Sequence, residues 1–139
     1  MITKQEYFSR NKKPIPAIEI EAEHVINAEF LINKVNQLWA VYEAQNGNRP
    51  LIVSSGYRTK AINASIKGSA KISNHMLGKA VDIQDTQKVI QRWLKTPIGL
   101  KSLEDADLYC EDFSFTKTWV HLQTTRPNSG MRFFIPFKK

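Results

Sequence analysis

Two histidines and one aspartate carry most of the chemistry this sequence can offer. His75 and Asp82 are separated by a Leu77-Gly78 turn, and His121 lies far downstream in an alternating run. Imidazole nitrogen and carboxylate oxygen are donors that zinc favours. The turn can bring a loop residue back over the start of a strand, and His121 arrives from a later hairpin. Two histidines and one carboxylate leave one tetrahedral position for water, as a catalytic zinc requires. The same residues also have a plainer reading, because a histidine on a strand is more often packed or hydrogen-bonded than a ligand. Cys110 is the sole cysteine, which rules out an internal disulfide and a zinc site built on several thiolates. It reads as a small buried residue in a strand rather than as a nucleophile.

The elements that must position these residues follow from periodicity and punctuation. Thr3 and Glu6 have the spacing of a capping box, so a short helix starts there. NKKPIP, residues 11–16, reads as a connection because Pro14 and Pro16 disfavour helix. Leu31, Val35, Leu38 and Tyr42 recur at helical spacing, giving a helix from about Ala28 to Gln45 with Asn27 as N-cap and Asn46-Gly47 as stop. LIVSS, residues 51–55, is a short buried strand. The polar stretch from Gly56 to Leu77 holds only a short helix near Lys60 to Ser65. KAVDIQ, residues 79–84, is a second strand. Asp85 or Thr86 caps a helix with Val89, Ile90, Trp93 and Leu94 on one stripe, ended by Pro97 and Gly99. DLYCED (107–112), KTWVHLQ (117–123) and MRFFIP (131–136) read as strands. Helices first and strands later predict an α+β fold: one domain over residues 1–139, with a small antiparallel sheet and N-terminal helices packed on one face. The helical part is 1–50 and the metal-site core 51–137.

Composition narrows the function classes. A chain of 139 residues fits one domain with one core. No apolar run is long enough to cross a bilayer, so no stable membrane insertion is expected. The first residues lack a signal-peptide core, which predicts synthesis in the cytoplasm and release by another route. The net charge of +7 draws the protein to polyanions. Between Gly56 and Val81 stand Arg58, Lys60, Lys67, Lys71 and Lys79 with no acid among them. The basic residues lack interleaved aromatics and no nucleic-acid motif appears, so nucleic acid is not an expected partner.

Several separate strings, in order, resemble one family. They are SGYRT at Ser55 to Thr59, Asn63, GSAKISNHMLGKAVDI at Gly68 to Ile83, and WVH at Trp119 to His121. Together they resemble the D-alanyl-D-alanine carboxypeptidase-like zinc peptidases, which share a fold with lysostaphin-type enzymes and the hedgehog signalling domain. The family's S-x-H-x(6)-D followed by W-x-H reads here as Ser73, His75, Asp82, Trp119 and His121. The resemblance runs from about Leu51 to Pro136, and RPNSGMRFFIP is similar to the tail of compact phage-encoded members. It implies one zinc ion held by His75, Asp82 and His121, and Arg58 near the metal facing an oxyanion or a substrate carboxylate. Ser73 would contact substrate or orient its loop, and Trp119 would contact substrate. The implied activity is hydrolysis of the peptide stem of bacterial cell wall. The enzyme would be a monomeric lysin-type L-Ala-D-Glu endopeptidase, or a D-Ala-D-Ala carboxypeptidase, acting on the wall after release.

One position departs from the family. Many members carry the catalytic acid three residues before the last histidine, and here that residue is Thr118. Strand alternation offers a replacement. With Leu108, Cys110, Val120 and Leu122 facing the core, Tyr109 and Glu111 share the side of Trp119 and His121. Antiparallel pairing through residues 113–116 would set Glu111 across from Trp119. Glu111 is therefore the expected general base, with Asp112 as fallback. The alternative is a cell-wall-binding protein with an impaired site on the same scaffold.

Overall fold

The structure is a computed structural model that describes residues 1–136. In chain order its helices and strands begin with α1 (Lys4–Tyr7), β1 (Ser9–Arg10), β2 (Lys13–Pro14) and α2 (Ala22–Asn46). They continue with β3 (Val53–Ser55), α3 (Lys60–Ser65), β4 (Ala80–Gln84), α4 (Val89–Leu94) and α5 (Pro97–Asp105). The chain then adds β5 (Tyr109–Glu111), β6 (Trp119–Gln123) and β7 (Phe133–Phe134). Helix and sheet mix in one α+β unit, as expected.

Five strands form the main sheet in the order β3-β4-β6-β5-β7. All neighbours run antiparallel except β5 and β7, which pair in parallel. The sheet expected to be antiparallel thus carries one parallel edge. Side chains alternate across it. Val81, Ile83, Cys110, Val120 and Leu122 point into one apolar core shared with Leu31, Val35 and Leu38 of α2 and with Leu94 and Leu103 of α4 and α5. Each such large apolar side chain contributes roughly 1.5–3 kcal/mol on burial.

Local chemistry explains where the chain departs from expectation. The capping box of Thr3 and Glu6 forms, with Thr3 Oγ1 accepting the Glu6 N–H and Glu6 Oε1 accepting the Thr3 N–H. Residues 11–16, expected as a connection, instead contribute to a hairpin. Asn11 and Lys12 both adopt positive φ, and β1 pairs with β2 on either side of them. Pro14 is tolerated because this two-stranded ribbon has free edges. Helix α2 starts at Ala22 rather than Ala28; Asn27 lies inside it, and its amide donates to the Leu77 carbonyl at 2.9 Å instead of capping. Its stop at Gly47, with φ of 87°, is as expected. Pro97 does not end a helix. It opens α5, where a missing N–H costs nothing, and Thr96 caps the turn. Asp85 serves α4 from a distance, its carboxylate accepting the N–H groups of Ile90 and Gln91.

Candidate metal centre

One residue from each strand lines up across the open face of the sheet. Ser55 pairs with Asp82, and Asp82 with His121. β5 pairs with β6 through Tyr109–Gln123 and Cys110–Leu122. Continuing that register by one residue sets Glu111 opposite His121, and Glu111 in turn pairs with Phe134. Ser55, Asp82, His121, Glu111 and Phe134 therefore form a single row. The expectation that Glu111 would lie across from Trp119 is wrong by two residues. The connection between β5 and β6 spans residues 112–118, longer than the loop assumed, and shifts the pairing.

His75 reaches this row from outside the sheet. It sits in a 3-10 turn, Asn74–Leu77, whose first residue is capped by Ser73: Ser73 Oγ accepts the His75 N–H at 3.1 Å. Gly78 ends the turn with φ of 75°, and a Cβ there would meet the His24 carbonyl oxygen of α2 at 2.4 Å. Asn27 holds the Leu77 carbonyl, and Arg58 N–H donates to the His75 carbonyl at 3.1 Å. The start of α2 and the SGYRT segment together fix the turn against the sheet.

His75, Asp82 and His121 converge. One donor atom from each lies within 4.8 Å of the others. His75 Nε2 is 3.3 Å from Asp82 Oδ2, and His121 Nδ1 is 2.8 Å from Asp82 Oδ1. The outer ring nitrogens are engaged as well. His75 Nδ1 lies 2.9 Å from the Gly56 carbonyl oxygen, which can only accept, so Nδ1 carries a proton. His121 Nε2 lies 2.8 Å from Gln123 Oε1. That amide is oriented by its own donation to Thr125 O and by Asn74 Nδ2 donating to Oε1 at 3.3 Å, so His121 donates from Nε2. The inner nitrogens, His75 Nε2 and His121 Nδ1, thus both face the Asp82 carboxylate. Two imidazole nitrogens and one carboxylate oxygen within reach of a single point are a donor set that suits zinc. The residues present fit the metal.

Burial and neighbouring charge act differently on the three groups. Burial pulls His75 down from its ordinary pKa, which favours the neutral ring a metal needs. Burial pushes Asp82 up, but the neighbouring His75 and His121 outweigh it and hold the carboxyl below the usual carboxylate range. Burial also opposes charge on His121, yet the hydrogen bond to Asp82 prevails and lifts its pKa.

The remaining expected residues fall into two groups. Arg58 stands at the cluster, its Nη2 3.5 Å from Asp82 Oδ2, with Nε on Ser55 Oγ and Nη1 on Asn63 Oδ1. Glu111 shares the open face with His121, and burial pushes its carboxyl up from the ordinary range. Trp119 lies two residues along β6 on that same face, half-buried beside Gln84. Ser73 turns its hydroxyl inward to the His75 turn. Asp112 is not brought to the cluster, because its carboxylate is tied to the backbone and hydroxyl of Ser114 in the following turn. Thr118 is exposed, its carbonyl accepting the Asp85 N–H. Gln123, Asn74, Thr125 and the Gly56 carbonyl had no sequence expectation. Gln123 alone had a usable signal, since it stands two residues from His121 on the same strand face.

A protein-family model for Peptidase M15 matches residues 7 to 123. The chain belongs to the Peptidase M15 family. No curated protein and no solved structure matches it. The M15 match spans His75, Asp82, Glu111 and His121 together, and membership makes the chain a peptidase, a hydrolase of peptide bonds.

Proposed function

We propose that this M15 peptidase is zinc-dependent and cuts the peptide stem of bacterial peptidoglycan, with His75, Asp82 and His121 holding one zinc ion. The observation that carries the reading is the convergence of two imidazoles on one carboxylate, each ring held by an acceptor behind it. When bound, the ion supplies Lewis-acid polarisation of the scissile carbonyl and lowers the pKa of water. Glu111 takes the proton of the attacking water and returns it to the departing amine. Burial raises its pKa, which makes its carboxylate a stronger base. Arg58 is already pinned by Ser55 and Asn63, so its guanidinium meets the developing oxyanion with little reorganisation. Trp119 extends the open face along β6 and offers a surface for the stem.

The bond cut is the L-Ala-D-Glu link, as in a lysin-type endopeptidase acting on the wall after release. The phage-like tail RPNSGMRFFIP supports this choice over D-Ala-D-Ala carboxypeptidase activity. That tail supplies β7, whose Phe134 ring lies 6.2 Å from His121. Mass spectrometry of fragments from a purified murein digest, with and without chelator, is the test. Chelator-sensitive fragments ending in L-Ala are expected. Intact murein would overturn the reading. Thr118, in the place of the usual acid, favours a second reading as a wall-binding protein, which intact murein with zinc still bound would support.

A further inference from the structure

The β1–β2 hairpin brings a second guanidinium to the end of the catalytic row. Arg10 Nη1 donates to Ser55 Oγ at 3.0 Å, and Arg58 Nε donates to the same oxygen at 3.2 Å. A hydroxyl oxygen has two lone pairs, and both are taken. The Ser55 O–H is then left as a donor, and it has no acceptor among the described residues. Ser55 is only 9% exposed, so water is largely kept from it. Arg10 makes no ion pair among the described residues, and it is only half-buried. Two guanidinium groups and one hydroxyl therefore crowd together with donors to spare. Among the described residues, the carboxylate that pairs with Arg58 is Asp82, and it is already committed to two histidines as well.

We infer that Arg10, presented beside Ser55 by the β1–β2 hairpin, is a specificity residue that reads a free α-carboxylate on the residue supplying the leaving amine. A carboxylate offers two oxygens, which match the spare N–H groups of Arg10 and the Ser55 O–H. Position along the row supports the assignment. Ser55 is one strand from Asp82, on the side away from Glu111. Neighbouring strands lie about 4.8 Å apart, close to the span from a scissile carbonyl to the carboxylate of the next residue. The general base and the anchor thus flank the metal residues on opposite sides. Both candidate bonds share this chemistry. A D-Glu joined onward through its γ-carboxyl keeps its α-carboxylate, and a terminal D-Ala has one too. Arg10 acts as a specificity residue, held over the row by the turn at Asn11 and Lys12, whose positive φ values close the hairpin tightly.

This inference rests on the proposed substrate, and binding can separate the two. The probes are two stem peptides that differ only in a free carboxylate or a primary amide at the leaving residue's α-carbon. Each is titrated calorimetrically into the zinc-loaded protein and into Arg10→Gln, with hydrolysis followed in parallel. The free acid is expected to bind at least about tenfold more tightly than the amide, the scale of a lost charge-assisted hydrogen bond. Arg10→Gln should remove most of that preference by weakening the acid alone, and Arg10→Lys should restore part of it. Zinc content and thermal melting check that both variants fold. An acid-to-amide ratio unchanged in Arg10→Gln would overturn the inference, as would a wild-type protein with no preference. Loss of preference without any hydrolysis would support the subsite and count against the proposed activity.

Discussion

The two faces of the main sheet are made by the same strands and do opposite work. On the covered face, Val81, Ile83, Cys110, Val120 and Leu122 are almost wholly buried among apolar neighbours. On the open face the residues between them, Asp82, Glu111, His121 and Gln123, are polar or ionisable, and several are buried too. The covered face gains free energy by leaving water. The open face spends some, because desolvated charge is costly unless it is paired. One residue of register therefore separates a side chain that stabilises the fold from one that joins the candidate metal site. Strand-by-strand alternation keeps the two separate.

That contrast can be broken at its strongest point first. Asp82→Ala removes the anion that both imidazoles face, and it is expected to abolish metal binding and activity together. Metal analysis alongside a turnover assay checks this. Glu111→Gln comes next. Turnover should fall by about 10²–10⁴-fold with zinc still bound, and zinc loss would mean that Glu111 has another role. The same variant also tests the cost of the open face. Burial raises the Glu111 pKa, so its ionised form is the one the fold disfavours. Below the ordinary glutamate range the variant and wild type should melt alike. As the pH rises through the Glu111 pKa, the variant should become the more stable of the two. Melting of the chelator-treated proteins across pH reads this out.

On the covered face, Leu122→Ala should cost about 2–5 kcal/mol of stability through lost burial and a cavity. Chemical denaturation measures it. At temperatures where the variant is folded, its zinc affinity should match wild type, although Leu122 is the neighbour of His121. The smallest effect is expected at Gln123→Leu, which removes the acceptor behind His121. Zinc affinity should drop by about 10- to 100-fold.

The site was more legible in the sequence than the fold around it. His75, Asp82 and His121 were readable because residue type and the SGYRT, SNHMLGKAVDI and WVH strings report the chemistry directly. The faces of β5 and β6 were readable because alternation is local. The register between them was not, since it depends on how residues 112–118 close the hairpin, and the loop length was underestimated. The β1–β2 hairpin was hidden by its prolines and by a turn that uses Lys12 at positive φ, where no sequence signal favours lysine. Helix α5 was hidden because Pro97 reads equally as a stop or as a first helical residue. The parallel pairing of β7 with β5 is a long-range contact with no local trace.

A zinc competition titration of the chain and of its His75→Ala, Asp82→Ala and His121→Ala variants probes the three proposed ligands together. One tightly held ion per wild-type chain is expected, with the affinity lost in each of the three variants. Wild-type protein that takes up no stoichiometric zinc, or variants that bind it as well as wild type, would contradict the account.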